Sequence, residues 1–186
     1  MADRTFDQFF DQLQDYCEAH SSTQSELLYR LERETYLKTL APQMMSGQLQ
    51  GRLLSLLSKL LRPNCILEIG TFTGYATLCL AEGLSANGQL HTIEGNEELS
   101  YISQKYFDES AFASRIHPHI GDAKTIIPQL DLTFDLVFID AAKLHYALFF
   151  DLVIDKVRPG GILLADNVLW SGKVVRNATD KDTRTI

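Results

Sequence analysis

Five short apolar stretches of this chain each run into a carboxylate: Glu68 just before Gly70, Glu94, Asp122 after Gly121, Asp140, and Asp166 followed by Asn167. Scattered acids would seldom fall at every such end, so these positions are where chemistry is to be sought. Asp140, Asp166 and Asn167 offer two carboxylates and one amide oxygen. That all-oxygen donor set suits Mg²⁺, Ca²⁺ or Mn²⁺ and not zinc, and it leaves positions open for substrate oxygens. The same residues have an ordinary reading, in which Asp166 caps the segment after it and Asp140 caps a helix starting near Lys143. Spacing alone does not choose.

The loop Glu68-Ile69-Gly70-Thr71-Phe72-Thr73-Gly74 has the form of a nucleotide turn. Its glycines are spaced G-x-x-x-G, which is not the G-x-G-x-x-G that lets a backbone approach a pyrophosphate, and a nicotinamide dehydrogenase is disfavoured on that ground. A glutamate two residues before the first glycine would repel phosphate and suits positive charge or hydroxyls. Glu94, ending the second apolar run, stands where a ribose-binding acid belongs. The ligand implied carries an adenosine-like ribose, no pyrophosphate and a cationic portion: S-adenosylmethionine fits all three. Taken singly, the glycines read as a tight turn.

These groups converge only if the elements beneath them form one sheet. Strands are expected at Cys65 to Ile69, Gln89 to Glu94, Ile116 to Ile120, Phe134 to Ile139 and Ile162 to Ala165, with helices between them. The last of those helices is expected over Lys143 to Val157, closed by a turn at Arg158-Pro159-Gly160-Gly161. Strands alternating with helices imply a parallel sheet covered on both faces. Right-handed crossovers favour a doubly wound α/β fold of strand order 3-2-1-4-5, with ligands bound beyond the carboxyl ends of the strands. Ahead of this unit, residues 1–42 read as a helical cap on a single domain of 1–186. Phe6, Phe9, Phe10, Leu13, Tyr16 and Cys17 form one face of its first helix, and Asp3, Asp7, Asp11 and Asp15 form a solvated face. In its second helix, ended by Pro42, Leu27, Leu28 and Leu31 point inward.

Composition narrows the partners. The chain has 186 residues, 45% of them hydrophobic and 22% charged, ample for one core and too short for two ordinary domains. A net charge of −7 gives no electrostatic case for nucleic acid or an anionic membrane. No apolar run approaches a membrane span, no secretory signal is visible, and three cysteines at unrelated spacings argue against a disulfide framework. A cytoplasmic protein with small-molecule partners is expected.

The runs LEIGTFTGYATLCLAEGL, HTIEGNEEL, HIGDAKTIIPQL, FDLVFIDAAKLHY and PGGILLADNVLWSGKV, collinear from about Met44 to Val175, resemble the cation-dependent O-methyltransferase family that includes catechol and caffeoyl-coenzyme A O-methyltransferases and their bacterial relatives. The resemblance implies a class I methyltransferase fold, S-adenosylmethionine, a divalent cation and a homodimer. By position it implies that Ser46, Glu68, Gly70, Glu94 and Ala123 hold the cofactor, with Met44 beside its sulfonium end. Phe72, Gly74, Ala76, Asp122 and Asp140 belong to the same pocket. Asp140, Asp166 and Asn167 become metal ligands, and Lys143 the general base, working beside Asp140.

Three departures from the family pattern stand out. Ala142 replaces the second acid of a D-A-D-K run, Ala76 replaces a serine that bonds the methionine carboxylate, and Gly95 replaces a larger apolar residue. Two further strands are expected after the Trp170 region and lie outside this sequence: either the sequence is a piece of a longer chain, or the fifth strand is an apolar edge that a partner must cover. The function expected is cofactor- and cation-dependent methylation of a small catechol-like or phenylpropanoid hydroxyl. The alternative is a non-catalytic S-adenosylmethionine-binding protein.

Overall fold

The central strand of the sheet, β1 (Cys65–Ile69), is buried at every position, because its alternate side chains feed two separate cores. Ile66 faces one and Cys65, Leu67 and Ile69 face the other. A strand buried on both faces needs the near-continuous apolar run that this segment has. In this computed structural model, which describes residues 4–175, β1 is flanked by β2 (Gln89–Glu94), β3 (Ile116–Ile120), β4 (Phe134–Ile139) and β5 (Val157–Ala165). The five strands are parallel, in the order β3-β2-β1-β4-β5 that the sequence predicts.

The helices are α1 (Arg4–Ala19), α2 (Glu26–Lys38), α3 (Gly47–Leu61), α4 (Tyr75–Ala81), α5 (Ser100–Glu109), α6 (Ala123–Ile126) and α7 (Tyr146–Val153). One core joins Ile66, Leu90 and Leu136 to Leu28 and Leu31 of α2, Leu54 of α3, Leu78 and Leu80 of α4 and Phe107 of α5. The other joins Leu67, Val137 and Ile139 to Ile127 and to Tyr146, Phe149 and Val153 of α7. Each fully buried leucine, isoleucine or phenylalanine in these sets stabilises the fold by about 1.5–3 kcal/mol relative to leaving it in water.

One expectation needs correction. The Arg158-Pro159-Gly160-Gly161 segment is not a turn closing a long helix: α7 ends at Val153, a 3-10 turn follows, and β5 already begins at Val157. Arg158 pairs with the Asp135 carboxylate, and the β4–β5 register shifts between Phe134 and Leu136 to take up the glycines. β5 lies at the sheet edge, where a proline costs no ladder hydrogen bond. The apolar face expected on α1 does not enter the core. Phe9, Phe10, Leu13 and Tyr16 are exposed, Tyr16 by 62%, because among the described residues α1 packs chiefly against α3. The side chains of Asp3, Phe6, Asp7 and Asp11, and residues 176–186, lie outside the described residues. Among the described residues, no helix is long and apolar enough to cross a membrane.

Candidate active site

Backbone pairing continues one residue past four of the five strands and sets the site in a row. Gly121 N donates to Glu94 O, Gly70 N to Ile93 O, Asp140 N to Ile69 O and Asp166 N to Ile139 O, at 2.8–3.0 Å. The residues just past β1, β3, β4 and β5 are thereby fixed at one level across the sheet. Gly70 has φ +106°, and a Cβ there would collide with the carbonyl of Asp140. Only glycine allows these two strand ends to lie this close. Phe72, in the loop after Gly70, has φ +50°, a conformation uncommon for a bulky residue.

Above this row lies a cavity of about 1230 Å³. Its wall includes Met44, Ser46, Gly70, Phe72, Ala76, Glu94, Asp122, Ala123, Asp140, Lys143 and Asn167, which are eleven of the fourteen site residues named from the sequence. Glu94 is held by the loops it joins: Phe72 N donates to Oε2 at 2.7 Å, and Asn96 N donates to Oε1 at 2.8 Å. Asp122 caps α6 by accepting from Lys124 N at 2.9 Å, and this bond, with the Lys124 ammonium, holds its carboxyl below the ordinary range.

Glu68 and Gly74 are not on that wall. Glu68 is fully buried, and its Oε2 accepts from the hydroxyls of Thr77 and, at 2.6 Å, Thr92. Burial pushes this carboxyl up to about 8, so it is neutral near neutral pH. Gly74, φ +91°, starts α4, where a Cβ would strike the ring of Phe107.

Asp166 borders a second, small void of about 100 Å³, shared with Asp140, Asn167, Ser46 and Gln50. Burial first, and then the Asp166 charge, push the Asp140 carboxyl up to about 6, against the opposing pull of Lys143. The Lys143 ammonium donates to Asn167 Oδ1 at 2.5 Å, and Asn167 N donates to Asp166 Oδ1 at 2.6 Å. The turn at Lys143–His145 is capped at Ala142 without a side-chain bond, so Asp140 is not a helix cap here. Among the described residues no three His, Cys, Asp or Glu side chains gather as a metal cage. The donor set here has only two carboxylates, completed by an amide oxygen. Two like charges facing one polar void, with the amide oxygen beside them, match in chemistry what a hard dication requires.

Several wall residues were given no role from the sequence. Thr71, Asn96, Leu169 and Trp170 line the cavity. Trp170 carries the ammonium groups of Lys173 and Lys143 over its ring, 5.1 and 5.8 Å from the centroid. A lone tryptophan just beyond Asn167 was the available signal.

A family model described as O-methyltransferase matches residues 18–186. The chain belongs to this O-methyltransferase family. Similar curated members are a catechol O-methyltransferase of Niastella koreensis, 38% identical over 136 residues that make up 70% of this chain and 62% of that protein. A caffeoyl-CoA O-methyltransferase of Stellaria longipes is 30% identical over 70% of this chain and 57% of its own length. The chain thus spans less than two thirds of the length of these relatives. Among solved structures, the O-methyltransferase TomG of Streptomyces achromogenes, in complex with SAM, superposes with TM-score 0.87 at 30% identity, over 94% of this chain and 80% of that one. An O-methyltransferase of Bacillus cereus in complex with SAH does so with TM-score 0.87 at 27% identity, over 94% and 81%. The doubly wound sheet of this chain is therefore the O-methyltransferase fold.

Proposed function

We propose that this family member transfers a methyl group from S-adenosylmethionine to a hydroxyl of a small catechol-like or phenylpropanoid substrate, with the help of a divalent cation. One observation carries the reading: a single cavity has the Glu94 carboxylate in its wall and also Lys143 and Asn167, beside the void that Asp140 and Asp166 share. Glu94 would take the ribose hydroxyls, and Phe72, Ala76, Asp122 and Ala123 the rest of the nucleoside and its methionine portion. Met44 and Ser46 would close over the sulfonium end. The names of the relatives, catechol and caffeoyl-CoA O-methyltransferases, support an aromatic acceptor.

Asp140, Asp166 and Asn167 would hold the dication. When bound, it supplies the Lewis acidity that lowers the pKa of a neighbouring substrate hydroxyl. Lys143, whose Nζ is within hydrogen-bond reach of Asn167 Oδ1, would take the hydroxyl proton as the neutral amine, its own proton having first passed to solvent. With the cofactor held from the Glu94 side and the acceptor from the Asp140–Lys143 side, the cavity would bring the two reactants together, and such positioning would supply much of the rate. Leu169 and Trp170 offer apolar surface against which an aromatic ring could lie.

The test is methyl transfer to a catechol panel with Mg²⁺, with and without chelator. Asp166→Ala is expected to abolish turnover while leaving the affinity for S-adenosylhomocysteine within about threefold of the parent. Turnover that survives the substitution, or that ignores the chelator, overturns the cation's role. We carry a homodimer as part of the same proposal. Its support is an apolar stripe along α3, where Leu49, Leu53, Leu56 and Leu60 recur at three- and four-residue steps and remain exposed, Leu60 by 74%.

A further inference from the structure

We infer that Gln50 is a positioning residue for the cation site, acting through Asp166. The inference rests on the cation-dependent reading above and deepens it. Gln50 lies in the first turns of α3, and its Nε2 donates to Asp166 Oδ2 at 2.9 Å across 116 residues of sequence. The other carboxylate oxygen, Oδ1, accepts from the backbone N of Asn167. Each oxygen of Asp166 is therefore held by one neutral donor, so the plane of the carboxylate is set from both sides. A neutral amide orients a ligand without cancelling its charge, whereas a lysine or arginine in the same place would compete with a dication for it.

The rest of α3 shows why an amide at this position needs a purpose. Its solvent-facing positions carry leucines, and its inward stripe is small or polar: Gly51, Ser55 and Ser58 are buried, with Leu54 among them. Each polar member of that side has a defined partner. Ser55 donates to Glu82, Ser58 to the carbonyl of Leu80, and Arg52 pairs with Glu82. Those bonds dock α3 on α4. Gln50 alone among them reaches the loop after β5, a loop also held by the bond from Asp166 N to Ile139 O, by the turn bonds of Asn167, Leu169 and Trp170, and by the bond from Lys143 to Asn167. Gln50 also borders the small void itself, beside Asp140, Asp166 and Asn167. Losing it frees Asp166 to leave the conformation in which it faces Asp140. The amide thus couples the seating of α3 to the quality of the cation site.

The experiment titrates Mn²⁺ into the full chain and follows the free ion by electron paramagnetic resonance, for the parent, Gln50→Met, Gln50→Ala and Asp166→Ala. Methionine keeps the volume and removes the donor. Mn²⁺ affinity is expected to fall at least tenfold in both Gln50 variants, in the range usual for loss of a group that orients a metal ligand. S-adenosylhomocysteine affinity should stay within about threefold, and saturating Mn²⁺ should restore kcat, which a purely structural lesion would not allow. Mn²⁺ affinity within twofold of the parent in Gln50→Met, while Asp166→Ala has lost it, overturns the role of Gln50 and leaves the cation site standing. If both Gln50 variants lose S-adenosylhomocysteine as well, Gln50 serves only to dock the helix and the inference fails. If the parent does not bind Mn²⁺, the cation-dependent reading and this inference fall together.

Discussion

Two glutamates of similar promise in the sequence have different work in the fold. Glu94 is on the cavity wall and accepts two backbone N–H bonds there; Glu68 is sealed in the core against Thr77 and Thr92. Glu94→Gln is expected to weaken S-adenosylhomocysteine binding by about tenfold or more, since charged hydrogen bonds are worth about 1.5–3 kcal/mol. Calorimetric titration of both variants separates the two roles, because Glu68→Gln should change that affinity by less than about threefold. Glu68 has a pH signature instead. Its folded carboxyl is raised to about 8 from an ordinary 4.5, so the folded state holds a proton that the unfolded chain has released in between. Its stabilising share is complete below the lower value and is lost as pH rises through the upper one. Glu68→Gln should therefore flatten the fall in stability between pH 5 and 9 in urea unfolding. An unchanged slope, or a large loss of cofactor affinity in Glu68→Gln, sets this assignment aside.

At the scale of elements, the site depends on how closely α3 meets α4. Gly51 is inside α3, one turn past its start, where glycine costs about 1 kcal/mol relative to alanine. Its reason is contact: a Cβ there would stand 2.7 Å from the Tyr75 ring and 2.8 Å from Cys79 Sγ. Gly51→Ala is thus expected to destabilise the protein by about 1–3 kcal/mol through overpacking, against the sign that helix propensity alone would give. Denaturant melts decide between the two signs. A stabilised variant would mean that α3 slides freely on α4, which its polar bonds to Glu82 and Leu80 oppose. The boundaries of β5 belong to this scale too. Read locally, Pro159 and two glycines announce a turn; Arg158 and Asp135, 23 residues apart, turn the same segment into an edge strand.

For the whole molecule, the question is what meets the apolar faces of α1 and α3. Their aromatic and leucine side chains form a stripe in the pattern of an inward helix face, yet they remain exposed. With a second copy of the chain on this stripe, light scattering should give a dimer for the parent. Leu53→Glu combined with Leu56→Glu should give a monomer that still binds S-adenosylhomocysteine. A parent that is monomeric, or a variant that remains dimeric, removes α3 from the interface.

Much of this molecule was decided by local order alone. Apolar runs of five or six residues between helical periods specify a parallel sheet, and the handedness of its crossovers specifies the strand order. Carboxylates at strand ends then necessarily share one edge, which is why Glu94, Asp140, Asp166 and Asn167 were legible as a group. What local order could not decide was direction and reach. Whether Glu68 faces a ligand or the core depends on hydroxyls contributed by β2 and α4. Whether a glutamine at the start of a leucine-rich helix has a role depends on a carboxylate 116 residues away. Such pairings have no period and no spacing, because they arise only when the chain closes on itself and each buried polar group must find a partner.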